Sequence, residues 1–263
     1  NGLILDGTRD MKIQKGLCIL VHDGIIADIV PDTADLDLSG YDVIDLHGRY
    51  ILPGLINMHV HLAGNGKPQK KQRDNEKLVK NIMSTSLTKA IAYKMVAGFA
   101  KDELLGGVTT IRTVGGLADF DTRLRDEIES GAKTGPRILA ANQGISVPGG
   151  HMAGSVAVAA ASIPDALRQL EKSKEEKVDL IKLMITGGVL DAKEKGTPGE
   201  LKMDPAMVRA VCDRAHELGF AVAAHVESTE GVRVALENGV DTIEHGAGLT
   251  PELIALFKEN GIG

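Results

Sequence analysis

Six short apolar segments, each followed by text with helical periodicity, run from Ile51 to the end of the chain and predict an α/β fold with crossover helices on a parallel sheet. The even recurrence of these units predicts a barrel, a TIM-like (βα)8 fold of which the first six strand-helix units are present. Length agrees, since 263 residues is close to the roughly 250 over which such barrels form one domain. With 43% hydrophobic residues, 3% aromatics and no Trp, the core has to be built from aliphatic side chains, Ala and Gly.

Residues 1–50 form a separate, all-β part, and residues 51–263 the incomplete barrel. The first part reads as LILDG, then KGLCILVHDGIIADIV with Asp23-Gly24 as a hairpin signal, then YDVIDLHGRYIL. His22 and His47 lie here without a second ligand nearby and read as surface histidines. The barrel strands are expected at 56–62, 108–114, 137–145, 180–186, 221–228 and 241–246. Among the helices, MDPAMVRAVCDRAHELG is the clearest: Asp204 caps, Pro205 takes the first turn, and Val208, Val211, Cys212, Ala215 and Leu218 make the apolar stripe that His216 borders. The connection from 65 to 102 is long enough to suggest a lid, and its basic run at 67–73 reads as a solvated loop. The text stops where a seventh strand is due. Six strands of an eight-stranded barrel leave two open edges, so further chain or a partner copy in a homo-oligomer is expected to cover them. Because the chain starts at Asn1, native residues are also expected before it.

A formal charge of −6 without a basic cluster argues against nucleic acid as a partner. No signal-peptide pattern and no apolar run of ~18 residues argues for a membrane. Cys18 and Cys212 are far apart in apolar contexts and give neither a disulfide framework nor a metal spacing, which fits a reducing cytoplasm.

The chemistry starts at GLINMHVHL, residues 54–62. On a strand, residues i and i+2 share a face, so His59 and His61 can direct two imidazoles at one ion. Lys182, His225 and His245 lie at or near the ends of the fourth, fifth and sixth strands, where parallel barrels gather functional side chains. An ammonium between Ile181, Leu183 and Ile185 is costly to bury unpaired. A lysine held neutral can instead take up carbon dioxide as a carbamate, an anionic oxygen ligand able to bridge two cations. Four imidazoles and one carbamate suit two divalent metal ions, zinc before others. Arg112, in TTIRTVGG, needs a carboxylate partner that the sequence alone does not name.

The ordered set HVH, IKLMITGG, AAHVES and TIEHG resembles the metal-dependent amidohydrolase superfamily, and most of all its prolidase-like and imidazolonepropionase-like branch. The likeness runs from about Leu46 to the end, and the opening segment resembles the N-terminal part of that family's small β-sandwich domain. The resemblance implies that His59 and His61 bind the more buried metal, His225 and His245 the other, and carboxylated Lys182 bridges them. It also implies a metal-ligating, proton-transferring aspartate on the eighth strand, a role no aspartate here can be given. His151 follows a GGH match and is expected to polarise a substrate carbonyl or bind a carboxylate, which with Lys182 makes the catalytic pair. Glu227, by its parity with His225, is expected at the mouth beside a cationic substrate group, and Gly187 and Gly188 to admit the ligand's close approach. The implied activity is metal-dependent hydrolysis of an amide or peptide bond in a small molecule such as a dipeptide or cyclic amide, with a metal-activated hydroxide as nucleophile. Two rivals follow from the same residues: a non-catalytic amidohydrolase-like scaffold or binding protein, and an aldolase-like barrel with Lys182 as a Schiff-base nucleophile.

Overall fold

The structure is a computed structural model that describes residues 1–33, 35–64, 66, 74–189, 192, 194 and 199–261. The basic run at 67–73 lies outside the described residues, as does most of the stretch that opens the expected lid. The chain divides into two compact units, Asn1–Leu55 and Ile56–Gly263.

The first unit holds β1 (Leu3–Ile4), β2 (Leu17–His22), β3 (Ile25–Pro31) and β4 (Tyr50–Ile51). β2 and β3 form the antiparallel hairpin that Asp23-Gly24 signals. Both turn residues have positive φ, 49° and 76°, as a type I′ turn requires. β1 and β4 pair in parallel. The long third strand expected around residues 41–52 is reduced to Tyr50–Ile51. Asp45 accepts the His47 N–H at 2.8 Å, and His47 and Gly48 then turn left-handed, which takes the backbone out of any ladder.

The second unit opens with β5 (Leu55–Val60), followed by α1 (Asn75–Ile82), α2 (Ser86–Leu105), β6 (Val108–Thr113), α3 (Phe120–Glu129), β7 (Arg137–Ala140), β8 (Gly144–Ser146), β9 (Ala157–Ala159), α4 (Ile163–Glu175), β10 (Leu180–Met184), α5 (Pro205–Glu217), β11 (Ala221–Val226), α6 (Thr229–Glu237), β12 (Thr242–His245) and α7 (Pro251–Asn260). Helix starts are dictated locally: Thr85, Ser162, Asp204, Ser228 and Thr250 each accept a first-turn backbone N–H. The segment read as a lid contains α2, whose Ala92, Tyr93, Val96 and Ala100 are buried in a core shared with β6 and β7; it is a crossover helix.

The strands form two parallel sheets, β5-β6-β7 and β12-β11-β10-β8-β9. The Asp179 N–H on the Ala140 carbonyl at 2.8 Å, and the Ala140 N–H on the Asp179 carboxylate at 2.7 Å, tie β7 to the head of β10. Curvature is strong, because the Arg112 guanidinium on β6 reaches Thr242 Oγ1 on β12 at 3.1 Å. In a flat sheet the four intervening steps of about 4.8 Å would separate those strands by ~19 Å, beyond an arginine's reach.

Parallel pairing puts Lys182 level with Ala223 and Thr242, and Met184 level with His225 and Glu244, on one face of the sheet. Beside Lys182, Ala223 packs with Val114, Ala141 and Leu180 in a small apolar cluster. The opposite face carries Ile181, Leu183, Val222, Ala224 and Val226 into the main core, against Leu170 of α4, Val208 and Val211 of α5 and Val232 of α6.

The third barrel strand, expected as one piece over 137–145, is broken into β7 and β8. Asn142 sits at φ 53° and its side chain leaves the ladder to accept the Thr122 N–H at 3.1 Å and donate to Thr122 Oγ1 at 3.0 Å and Glu176 at 2.9 Å. Replacing Asn142 by Ala removes those bonds and puts in the left-handed region a residue that tolerates it less well than Asn, so a loss of about 2–4 kcal/mol in urea unfolding is expected. Asn142→Gly, which tolerates the backbone conformation, should lose less. Equal losses in the two variants would show that backbone conformation contributes nothing.

Candidate metal centre

His59 is next to last in β5 and His61 directly follows it, so both side chains leave the same face of the strand. His225 is next to last in β11, and Lys182 sits mid-strand in β10, one layer deeper. His245 ends β12 level with Val226, whose side chain faces the helices. A φ of 67° at His245 breaks the alternation there and brings its ring back to the other histidines. The rings of His61, His59, His245 and His225 then follow one another with centroids 5.0, 4.7 and 4.8 Å apart.

Partners fix the protonation of the first pair. His61 Nδ1 lies 2.9 Å from the Gly115 carbonyl, which can only accept, so the proton is on Nδ1 and Nε2 carries a lone pair. His59 Nδ1 lies 2.7 Å from a Glu244 carboxylate oxygen, which imposes the same tautomer. The two Nε2 atoms face each other at 3.2 Å. Two nitrogens bound about 2.0–2.1 Å from one tetrahedral zinc are ~3.3 Å apart, so the spacing fits a shared ion. Gly115 makes the approach possible: it has φ 139°, and a β-carbon there would sit 3.1 Å from the His61 ring.

Electrostatics keep the ring nitrogens available. Burial, with positive neighbours including His59 and Lys182, pushes His61 down to about 4 despite its bond to Gly115. Burial, followed by the charges of His151, Lys182 and His245, drives His225 far below the ordinary imidazole value, and burial lowers His245 as well. Unprotonated imidazole is the form that binds a cation.

Lys182 is 1% exposed, and its Nζ has no hydrogen-bond partner among the described residues. Burial pushes its pKa from 10.5 down to about 7, with the Glu244 charge acting against the shift and Arg112 with it. Arg112, left without a partner in the sequence reading, has one here: its guanidinium forms an ion pair with Glu244 Oε1 and donates to the Met58 carbonyl at 2.7 Å. Burial alone would raise the Glu244 pKa, but the His59 hydrogen bond and the charges of Lys182 and Arg112 hold it below the usual carboxylate value.

The residues expected at the mouth lie around His225. The His151 ring stacks on it, with centroids 3.9 Å apart and planes 9° from parallel. Glu227 Oε1 is 3.7 Å from His225 Nε2, and ligand atoms of His225, Glu227 and His245 all lie within 4.8 Å of one another. That makes Glu227 a potential cation ligand, a role the sequence reading did not give it. The Gly187 N–H donates to the Glu200 carbonyl at 2.8 Å, and the Gly187 carbonyl lies 3.4 Å from His225 Nε2. At Gly188 a β-carbon would come within 2.7 Å of the His151 ring, so the missing side chain makes room for His151. Glu244 was missed altogether. Its signal was its parity with Thr242 on a strand whose inner face had to answer an unpaired arginine.

A model of the amidohydrolase family matches residues 50–258. An uncharacterised Mycobacterium tuberculosis protein is 30% identical over 226 residues, covering 85% of this chain and 52% of the relative. An imidazolonepropionase of Salmonella paratyphi A is 26% identical over 266 residues, covering 93% of this chain and 60% of that enzyme. Among solved structures, a putative prolidase from Bifidobacterium longum has a TM-score of 0.70 at 33% identity, covering 98% of this chain and 56% of that one. A Xaa-Pro dipeptidase with bound methionine has a TM-score of 0.72 at 28% identity, covering 99% and 64%. The chain thus spans a little over half the length of the curated relatives it matches.

The Lys182 amine gives up its proton near pH 7 in the fold and near 10.5 in the unfolded chain. Between those values the unfolded chain binds more protons, so the stability of metal-free protein should rise with pH across that window. Lys182→Met should flatten the rise and, at pH 7, stabilise the metal-free protein by about 1–3 kcal/mol in urea unfolding. A destabilised variant with an unchanged pH slope would mean that the amine is satisfied in the fold.

Proposed function

The chain belongs to the amidohydrolase family, and from that premise we propose that it hydrolyses a carbon–nitrogen bond in a small molecule, a dipeptide or a cyclic amide, with two divalent metal ions, zinc foremost. The observation that carries the proposal is the pair of Nε2 atoms of His59 and His61, 3.2 Å apart at a strand end, above a buried amine with no hydrogen-bond partner among the described residues. His59 and His61 would hold one ion and His225 and His245 the other. Lys182 would take part once its neutral amine adds carbon dioxide and releases a proton, as a carbamate that offers anionic oxygen ligands. When bound, the ions supply Lewis acidity and a nucleophilic water near neutral pH.

The remaining roles belong to side chains around His225. His151, fixed by stacking on that ring, orients the substrate carbonyl or carboxylate. Glu227 sets a negative charge beside the outer histidine pair, which favours substrates bearing an ammonium group, such as a free dipeptide, over dianionic ones. The prolidase and Xaa-Pro dipeptidase likenesses support dipeptides, including those with C-terminal proline, as the first substrates to try.

The scaffold reading ranks lower because all five ligand-type residues are present and four imidazoles converge. Elemental analysis decides between them: about two equivalents of zinc or a similar divalent metal are expected in the wild-type protein, and a clear loss in Lys182→Ala. No bound metal in either would leave the scaffold. A Schiff-base role for Lys182 predicts irreversible labelling by borohydride with a carbonyl compound, and none is expected. Bicarbonate should speed recovery of metal binding after chelation in the wild type and have no effect in Lys182→Ala.

A further inference from the structure

We propose that Glu244, anchored by Arg112, is the positioning residue for His59: it selects the His59 tautomer and aims Nε2 at the ion. The inference rests on reading His59 as a metal ligand. It adds a function for two buried charged residues to which the ligand set alone gives none.

Three strands contribute to the anchor. From β6, Arg112 donates to the Met58 carbonyl of β5 at 2.7 Å, to Thr242 Oγ1 of β12 at 3.1 Å, and to Glu244 Oε1. Met58 immediately precedes His59, so the guanidinium fixes the backbone of the ligand strand and the carboxylate that holds the ligand ring. Glu244 is 6% exposed and has both oxygens engaged, Oε1 by Arg112 and Oε2 by His59 Nδ1 at 2.7 Å. An ionised carboxylate offers only acceptors, so His59 must donate from Nδ1, and in the neutral ring that leaves the lone pair on Nε2. His61 reaches the same tautomer through a neutral backbone carbonyl. The two ligands therefore differ: His59 is backed by a charge, which makes its Nε2 the more basic donor, and His61 by a dipole. Arg112 holds that carboxylate in place through its ion pair with Oε1.

The test is a long-range proton–nitrogen correlation spectrum of metal-free, histidine-labelled protein at pH 8, combined with cobalt(II) titration. In the wild type, His59 is expected to be protonated on Nδ1 and bare on Nε2, as is His61. In Glu244→Gln the His59 signal should shift toward the Nε2-protonated form while His61, the internal control, stays unchanged. Cobalt affinity should fall about 10–100-fold. Glu244→Gln leaves Arg112 without a counter-charge, so Arg112→Met/Glu244→Gln, which removes both charges, serves if the single variant does not fold. In either variant, wild-type cobalt affinity with an unchanged His59 tautomer overturns the proposal. So does a wild-type His59 that carries a proton on Nε2. If wild-type protein takes up no cobalt, the metal reading of the site fails, whereas the tautomer comparison still decides the role of Glu244.

Discussion

Two histidine Nε2 atoms facing each other across 3.2 Å are the interaction on which the rest of the site depends. Neither nitrogen can rotate away without giving up a bond: His61 to the Gly115 carbonyl, His59 to Glu244. With both rings neutral and protonated on Nδ1, the contact is repulsive unless a positive charge lies between them. A proton on His61 is disfavoured, because burial lowers that ring to about 4. The same condition governs the neighbours. His225 and His245 are also held below the normal imidazole range, and Lys182 is moved toward neutrality. What the sheet assembles at its mouth is a set of imidazoles and one amine held away from their charged forms, with Lys182 and His225 the most deeply buried.

Such a set is destabilising in isolation, and the fold offsets it on the opposite face. There the strands carry only aliphatic side chains into the helices, with Ile181, Leu183, Val222, Ala224 and Val226 almost wholly buried. Each such burial contributes roughly 1.5–3 kcal/mol for the larger aliphatics, so a few of them outweigh one lysine held without a partner. Division of labour between the two faces follows from the period of two along a strand. One face stabilises, and the other is left free to hold polar groups at a cost. The small cluster of Val114, Ala141, Leu180 and Ala223 is the apolar part of the inner face beside Lys182, one residue layer away from the level of His225.

Much of this was legible in the sequence because it is encoded locally. The alternation of units, the Asp204 cap and the Asp23-Gly24 turn each act over a few residues and survive in the structure as read, and Thr85, Ser162, Ser228 and Thr250 cap their helices by the same local rule. What escaped depends on partners distant in sequence or on one backbone angle. Nothing near Asn142 announces that its side chain will leave the third strand for Thr122 and Glu176. The pairing of Arg112 with Glu244 joins residues 132 apart and exists only once the sheet curls. His245 was placed by its motif, yet strand parity would have put it on the wrong face. A left-handed φ, which histidine adopts more readily than most residues, restores it. The missing strand at 41–49 is a failure of the same kind: apolar alternation was present, but the Asp45 side chain captured the backbone for a turn.

The left-handed His245 also explains why the site is assembled from strand ends rather than strand interiors. Within a ladder each inner residue is one of a fixed grid, with neighbours about 4.8 Å away across the sheet. Grid positions supply Lys182 and His225, but not a third and fourth ligand close enough to share ions with them. At a strand end the backbone is released from the ladder, so a single dihedral can redirect a side chain. That freedom is used at His245, and His61 has already passed the end of its strand. The turn is held by its own bonds: the Gly246 N–H donates to the Val226 carbonyl at 3.0 Å and the Glu244 carbonyl at 2.8 Å. Strain of about 1–3 kcal/mol for a non-glycine residue in this region persists only where surrounding structure over-determines it. Here the Glu244 side chain on one side and the Gly246 turn on the other supply that constraint, so the residue that orients His59 also flanks the strained residue that completes the ring of histidines.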